Sequence, residues 1–299
     1  MKKGVLAVVA ASFLYGIMPM LTKLVMNTGL PDSRTVFYRV FFAALASFIA
    51  LKISGEKMSV EGGQLLRLAV FGTLGYGVTA ALTAASYTMI PTGLATMFQF
   101  TYPLFVTAVM TVFFKEKLTL FKAVSCLRAL AGLALMADFS HLSALGIALA
   151  TLSGVTYASY IVATRKSSFR PLPGLVIVFY ASLFSSVFAG GRMFITKQAA
   201  LPSLKAAGIL VIISVFCTVT SRYLLNRGIR LLGPSNASVL NMLEPVVSLI
   251  AGMIVYKEAV AFKGLVGCAL VIAAGLLVAL DSSNEPQKVK VHINTSRVG

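Results

Sequence analysis

Ten runs of roughly 20 predominantly apolar residues follow one another along this chain, separated by short polar stretches. A helix rises 1.5 Å per residue, so each run is long enough to cross a hydrocarbon core of about 30 Å. The runs fall at 4–24, 34–53, 66–88, 91–114, 119–137, 143–163, 173–192, 206–229, 234–256 and 262–280. With 58% of its residues hydrophobic, 12% charged and a mean hydropathy of +0.89, the chain lies far outside the soluble range. The expected fold class is an all-α integral membrane protein with ten transmembrane helices.

The formal charge of +17 would suggest nucleic acid if the protein were soluble. The placement of the charges argues against that partner. With the N-terminus cytoplasmic, sixteen of the 26 Lys and Arg fall on the inner side and eight on the outer, leaving Arg128 and Arg222 within spans. This asymmetry puts both termini in the cytoplasm and surrounds the chain with membrane lipids. The first run follows Lys2-Lys3 and resembles a signal peptide, but it continues through Leu24 without a small-residue cleavage site, so it reads as a retained helix. Residues 281–299 read as a disordered cytoplasmic tail. Cys126, Cys217 and Cys268 sit in apolar runs without metal-ligand spacing, and neither a metal nor a cofactor is indicated.

Matching residues recur at a constant offset of 142: Gly4 with Gly146, Tyr15 with Tyr157, Thr22 with Thr164, Phe37-Tyr38 with Phe179-Tyr180, and Pro103 with Pro245. The chain therefore divides into two five-span halves, 4–137 and 143–280. An odd number of spans per half forces the second to insert upside down. Inverted repeats are a common architecture of secondary transporters, with a small-molecule substrate bound between the halves.

The candidate site lies at that seam. Glu244 is ten residues beyond Pro234, roughly 15 Å deep, where a carboxylate is costly unless it meets a partner or a water-filled cavity. Arg222 has comparable depth and is a plausible ion-pair partner, with Arg128 competing. A lightly paired carboxylate could exchange a proton in step with transport, whereas a tight arginine bridge would keep it ionised. Tyr15 and Tyr157 are mid-span mates that either stack on a solute or pack with their hydroxyls on neighbouring carbonyls. Gln99 and Asn241 are paired carboxamides that either join helices or read a ligand. Tyr102 is the non-identical mate of Glu244, and Tyr76 and Tyr87 are secondary cavity candidates. Pro103 and Pro245 each remove a backbone donor and should kink their helices. Gly72, Gly75 and Gly77 crowd the third span, while Ser12, Gly16, Gly146, Ala150 and Gly154 offer small faces for close approach. Glu116 and Glu258, beside Lys115 and Lys257, read as caps or inter-loop contacts.

Two proline-bearing segments ending in a Lys-Glu doublet, PLFVTAVMTVFFKEKLT and PVVSLIAGMIVYKEAVA, each precede a helix rich in glycine and alanine. In this the chain resembles the EamA branch of the drug/metabolite transporter superfamily. The small residue usual before the glutamate is replaced here by Lys115 and Lys257. The resemblance implies a ten-helix inverted-repeat carrier, monomeric or homodimeric, with a central cavity framed by the first, third, fourth, sixth, eighth and ninth helices. It implies movement, often export, of amino acids or related metabolites. A carrier for lipid-like or cationic amphiphiles is the alternative. An intramembrane enzyme is disfavoured, since the chain has no H-E-x-x-H, no Ser or Cys nucleophile motif, and only His141 and His292. A purely structural role fits poorly with polar mates in mid-span.

Overall fold

The computed structural model describes residues 2–90, 92–116, 118–137, 139, 142–166, 171–195, 201–256 and 261–284. The tail beyond 284, Glu258, Lys257, His141 and His292 lie outside them. The described residues form ten spans: α1 (Lys2–Met26), α2 (Asp32–Ser54), α3 (Gly62–Tyr87), α4a and α4b (Thr92–Gln99 and Tyr102–Val112), α5 (Leu120–Met136), α6 (Ala144–Lys166), α7 (Gly174–Ile195), α8 (Leu204–Leu232), α9a and α9b (Pro234–Asn241 and Glu244–Tyr256) and α10 (Phe262–Asn284). Nine spans are at least 18 residues long and apolar enough to cross a membrane, and α5, at 17 residues, is the tenth. Large apolar side chains such as Leu6, Phe13, Leu66, Val112 and Ile254 are exposed, as a lipid-facing surface requires.

The 142-residue offset reappears in the coordinates. Lys2, Asp32, Gly62, Thr92, Tyr102 and Leu120 open elements in the first half; Ala144, Gly174, Leu204, Pro234, Glu244 and Phe262 open their mates. Local chemistry at these starts is equivalent without being identical. Glu61 caps α3 through a reciprocal pairing with Gln64, and its mate Ser203 caps α8 by accepting the Ala206 N–H. Gly233, at φ 87°, takes the turn between α8 and α9a that a side chain would strain, and Pro234 then starts the helix without losing a bond.

Packing obeys a two-fold exchange of the halves. Helix α1 lies against α8 and α9, as α6 lies against α3 and α4; α2 contacts α8 as α7 contacts α3; and the pairs α2/α7 and α5/α10 map onto themselves. The largest buried cluster draws on both halves, from Val8 and Ala11 through Tyr102 and Ile161 to Leu240 and Val271. At the α5/α10 crossing, a Cβ on Gly132 would meet the Gly267 carbonyl, and one on Gly267 would meet the Gly132 carbonyl. Backbone cannot yield as a flexible side chain can, so Gly267→Leu should destabilise the protein by about 1–3 kcal/mol in a thermal unfolding series. Gly191→Ala, which meets nothing within 4 Å, should leave stability unchanged or slightly raised.

Two irregularities are also shared. Helices α3 and α8 each contain a wide turn with i→i+5 bonding, at Thr73–Val78 and Ile213–Thr220. In both, a threonine hydroxyl donates five residues back, from Thr79 to the Leu74 carbonyl at 3.0 Å and from Thr220 to the Val215 carbonyl at 2.9 Å. Helices α4 and α9 each break two residues before their proline, at 100–101 and 242–243. Pro103 and Pro245 cannot donate to the carbonyls of Gln99 and Asn241, and the chain tightens into i→i−3 bonds there, such as Met242 N–H to Val239 O at 3.1 Å. The expected kinks are thus full interruptions.

Candidate functional site

The two breaks meet the first helix of the opposite half. Asn241 closes α9a and is buried. Its amide nitrogen donates to the Tyr102 hydroxyl at 3.2 Å and to Glu244 Oε2 at 3.3 Å, while its oxygen lies 3.2 Å from Ser12 Oγ on α1. The Tyr102 hydroxyl in turn donates to the Ser238 carbonyl at 3.2 Å. Asn241 and Tyr102 are therefore bonded to partners within the protein, and Asn241 holds Glu244 by one oxygen. The mate contact is built differently. Opposite Gln99 stands Gly154, the mate of Ser12, whose virtual Cβ would come 2.6 Å from the Gln99 carbonyl. The α6 backbone presses on the carbonyl freed by Pro103, and the half-buried Gln99 carboxamide makes no hydrogen bond among the described residues.

Around this node runs a chain of aromatic rings. Tyr102 and Tyr157 meet edge to face at 4.9 Å between centroids, Tyr157 and Tyr76 at 6.2 Å, and Tyr76 and Tyr160 at 5.4 Å. The Tyr15 and Tyr76 hydroxyls are 2.9 Å apart. Tyr76 is carried on the wide turn of α3, whose surplus residue changes the helical phase; Gly75 and Gly77, flanking it, allow the Tyr160 and Phe188 side chains to close in. The α3 glycines therefore serve close packing within a locally irregular helix.

Arginine placement departs from expectation. Arg222 is 1% exposed on α8, yet it does not pair with Glu244. Its Nη1 donates to Ser182 Oγ on α7 at 2.9 Å, and its guanidinium lies over the face of Tyr76. Equal depth is not equal azimuth: the side chain leaves α8 toward α3 and α7 rather than α9. Arg128 leaves α5 on an exposed face and takes no part in the site. Tyr87, also exposed, ends α3 three turns beyond Tyr76, away from the ring cluster. The charge that reaches Glu244 belongs to Arg39, which sequence counts among the outer-side cations of the 34–53 run and which lies inside α2. Arg39 Nη1 contacts Met18 Sδ at 3.1 Å, and its carbonyl accepts from Ser214 Oγ at 2.8 Å. Ser12, which sequence offers only as a small packing residue, and Tyr160, which it does not single out, also belong to the site. The offset pairing of Ser12 with Gly154 was the available signal for the first; nothing in the sequence distinguishes Tyr160. Of the helix-exit glutamates, Glu116 bridges Lys122 at 3.5 Å, tying the connection after α4b to the first turn of α5.

Ten spans in two inverted sets, with a pair of interrupted helices meeting at a polar seam, define a membrane carrier of the inverted-repeat class. The chain belongs to the EamA-like transporter family, whose profile matches it twice, over residues 2–137 and 144–280. It is similar to an uncharacterized transporter of Synechocystis, 27% identical over 62% of this chain, and to one of Archaeoglobus fulgidus, 25% identical over 78%. The alignments span 58% and 83% of those relatives. A crystal structure superposes with a TM-score of 0.82, covering 95% of this chain and 98% of the other at 16% identity, which shows the fold alone.

Proposed function

We propose that this protein is a secondary carrier that exports a small organic metabolite, an amino acid or related solute, across the cytoplasmic membrane by alternating access, with both termini cytoplasmic. The inner excess of Lys and Arg supports the orientation. The observation that carries the reading is the unequal filling of equivalent positions. Asn241 is saturated by Ser12, Tyr102 and Glu244, whereas Gln99, across the pseudo-two-fold, faces Gly154 and keeps its carboxamide unspent. A polar side chain in a low-dielectric interior needs a partner, and at this seam a passing solute supplies one. Glu244 has a second oxygen uncommitted, and Tyr157, within reach of its charge, offers an unbonded hydroxyl.

Counterflow in proteoliposomes with a panel of labelled amino acids and nucleobases tests the assignment. Gln99→Ala should lower transport about tenfold while leaving the unfolding temperature unchanged, since no intramolecular bond is lost. Glu244→Gln should retain counterflow but lose uptake driven by a proton gradient; an active mutant with unaltered gradient response removes the carboxylate from coupling. The amphiphile reading has one observation in its favour, an apolar groove of about 210 Å³ between α2 and α7, lined by Phe41, Phe48 and Phe179. Competition by long-chain quaternary amines in the same assay distinguishes it.

A further inference from the structure

The three charged side chains at the seam break the internal symmetry, because each stands opposite an uncharged mate: Arg39 opposite Ala181, Arg222 opposite Ala80, Glu244 opposite Tyr102. Two of the three are cations. Among the described residues, neither arginine lies within ion-pair distance of a carboxylate, and Arg39 feels the positive charge of Arg222. A guanidinium held at 1% exposure without a counter-ion is among the most costly arrangements a membrane interior can contain.

Arg222 has a definite orientation. Its Nη1 is anchored by Ser182, and the ring of Tyr76 covers one face of the plane. The groups left without an acceptor are Nε and Nη2. These two N–H groups lie on one edge of the guanidinium and point in parallel, which is the side-on fork that receives both oxygens of a carboxylate. Arg39 also has its Nε unpartnered. Its field reaches Tyr15 and Tyr76, which also lie within the field of Arg222. A fork held by Ser182, backed by an aromatic face and reinforced by a second cation is a built oxyanion subsite.

We propose that the Nε/Nη2 edge of Arg222, assisted by Arg39, binds a carboxylate group of the transported solute, so that the carrier selects molecules bearing a carboxylate, amino acids among them, over those without one. This rests on reading the seam as the transport pathway and adds to it the chemical class of the cargo. For an amino acid this leaves the ammonium to Glu244, whose second oxygen is uncommitted among the described residues.

Benzoate and its neutral isostere benzamide are suitable probes, because they share an aromatic body fitted to the tyrosine lining and differ in the charged group. With purified full-length protein, benzoate should raise the unfolding temperature in a saturable manner and benzamide should not. Arg222→Gln should weaken benzoate binding about thirtyfold or more, with Arg222→Lys retaining part of it and the exposed Arg67→Gln retaining all. Equal responses to benzoate and benzamide in the wild type would overturn the subsite, a comparison that holds even if Arg222→Gln fails to fold; so would an undiminished benzoate response in folded Arg222→Gln. Parallel counterflow separates this from the transport reading. Transport of a solute without an acidic group, indifferent to Arg222→Gln but lost in Gln99→Ala, sinks the carboxylate subsite and keeps the pathway. Arginine-dependent benzoate binding, with transport untouched by Arg222→Gln and Gln99→Ala, keeps the subsite and sinks the pathway.

Discussion

Asn241→Ala is expected to cost about 2–4 kcal/mol of stability, far more than the mate substitution Gln99→Ala, although the two residues occupy equivalent places in the two halves. The truncation removes three hydrogen bonds at a site that is 1% exposed, to Ser12, Tyr102 and Glu244. Tyr102 still donates to the Ser238 carbonyl, so its loss is small. Glu244 fares worse, because Asn241 is its hydrogen-bond donor and a buried carboxylate stripped of its donor carries most of its desolvation cost uncompensated. Thermal unfolding of the pair in the same detergent decides the matter. Equal losses at 99 and 241 would mean that the asymmetry of their surroundings has no energetic weight.

The second large effect is steric. Gly154→Val should destabilise by about 3 kcal/mol or more and abolish transport, with Gly154→Ala intermediate, because the first added carbon meets the Gln99 carbonyl at 2.6 Å. That oxygen belongs to the break forced by Pro103, so α6 can recede only by unpacking from α4 and from the Tyr102–Tyr157 contact. A matching constraint operates at Gly16, whose Cβ would lie 2.7 Å from the Glu244 carbonyl. Substitution at Gly208, which faces open space, supplies the control for helix propensity alone. Expression, unfolding temperature and counterflow measured together separate a misfolded carrier from one that is folded but jammed.

Much of this architecture was legible before any coordinates. Span count, the constant offset, the inversion and the interruptions near the two prolines all follow from apolar run length and residue spacing, which act along the chain. What failed depended on rotation about a helix axis. Glu244 and Arg222 share a depth, but successive residues turn by about 100°, and only packing shows that the arginine departs toward Ser182 and Tyr76. Arg128 has a comparable depth and faces outward for the same reason. The wide turns compound the difficulty, since each adds a phase shift that no sequence period reveals just upstream of Arg222 and around Tyr76. Arg39 counts only as an outer-side charge of the 34–53 run when charges are sorted by side; on α2 it shares the side that Ala43 and Ala44 bury.

The widened turns of α3 and α8 act as angular spacers. Everything C-terminal to Ile213–Thr220 on α8, including Arg222 and Asn226, owes its bearing to one surplus backbone unit. Ordinary 3.6-residue winding over the same number of residues would carry the arginine about 100° further round the axis, off its bearing on Ser182 and Tyr76. The carrier's polarity is thus aimed by a helical defect as much as by the identity of its side chains.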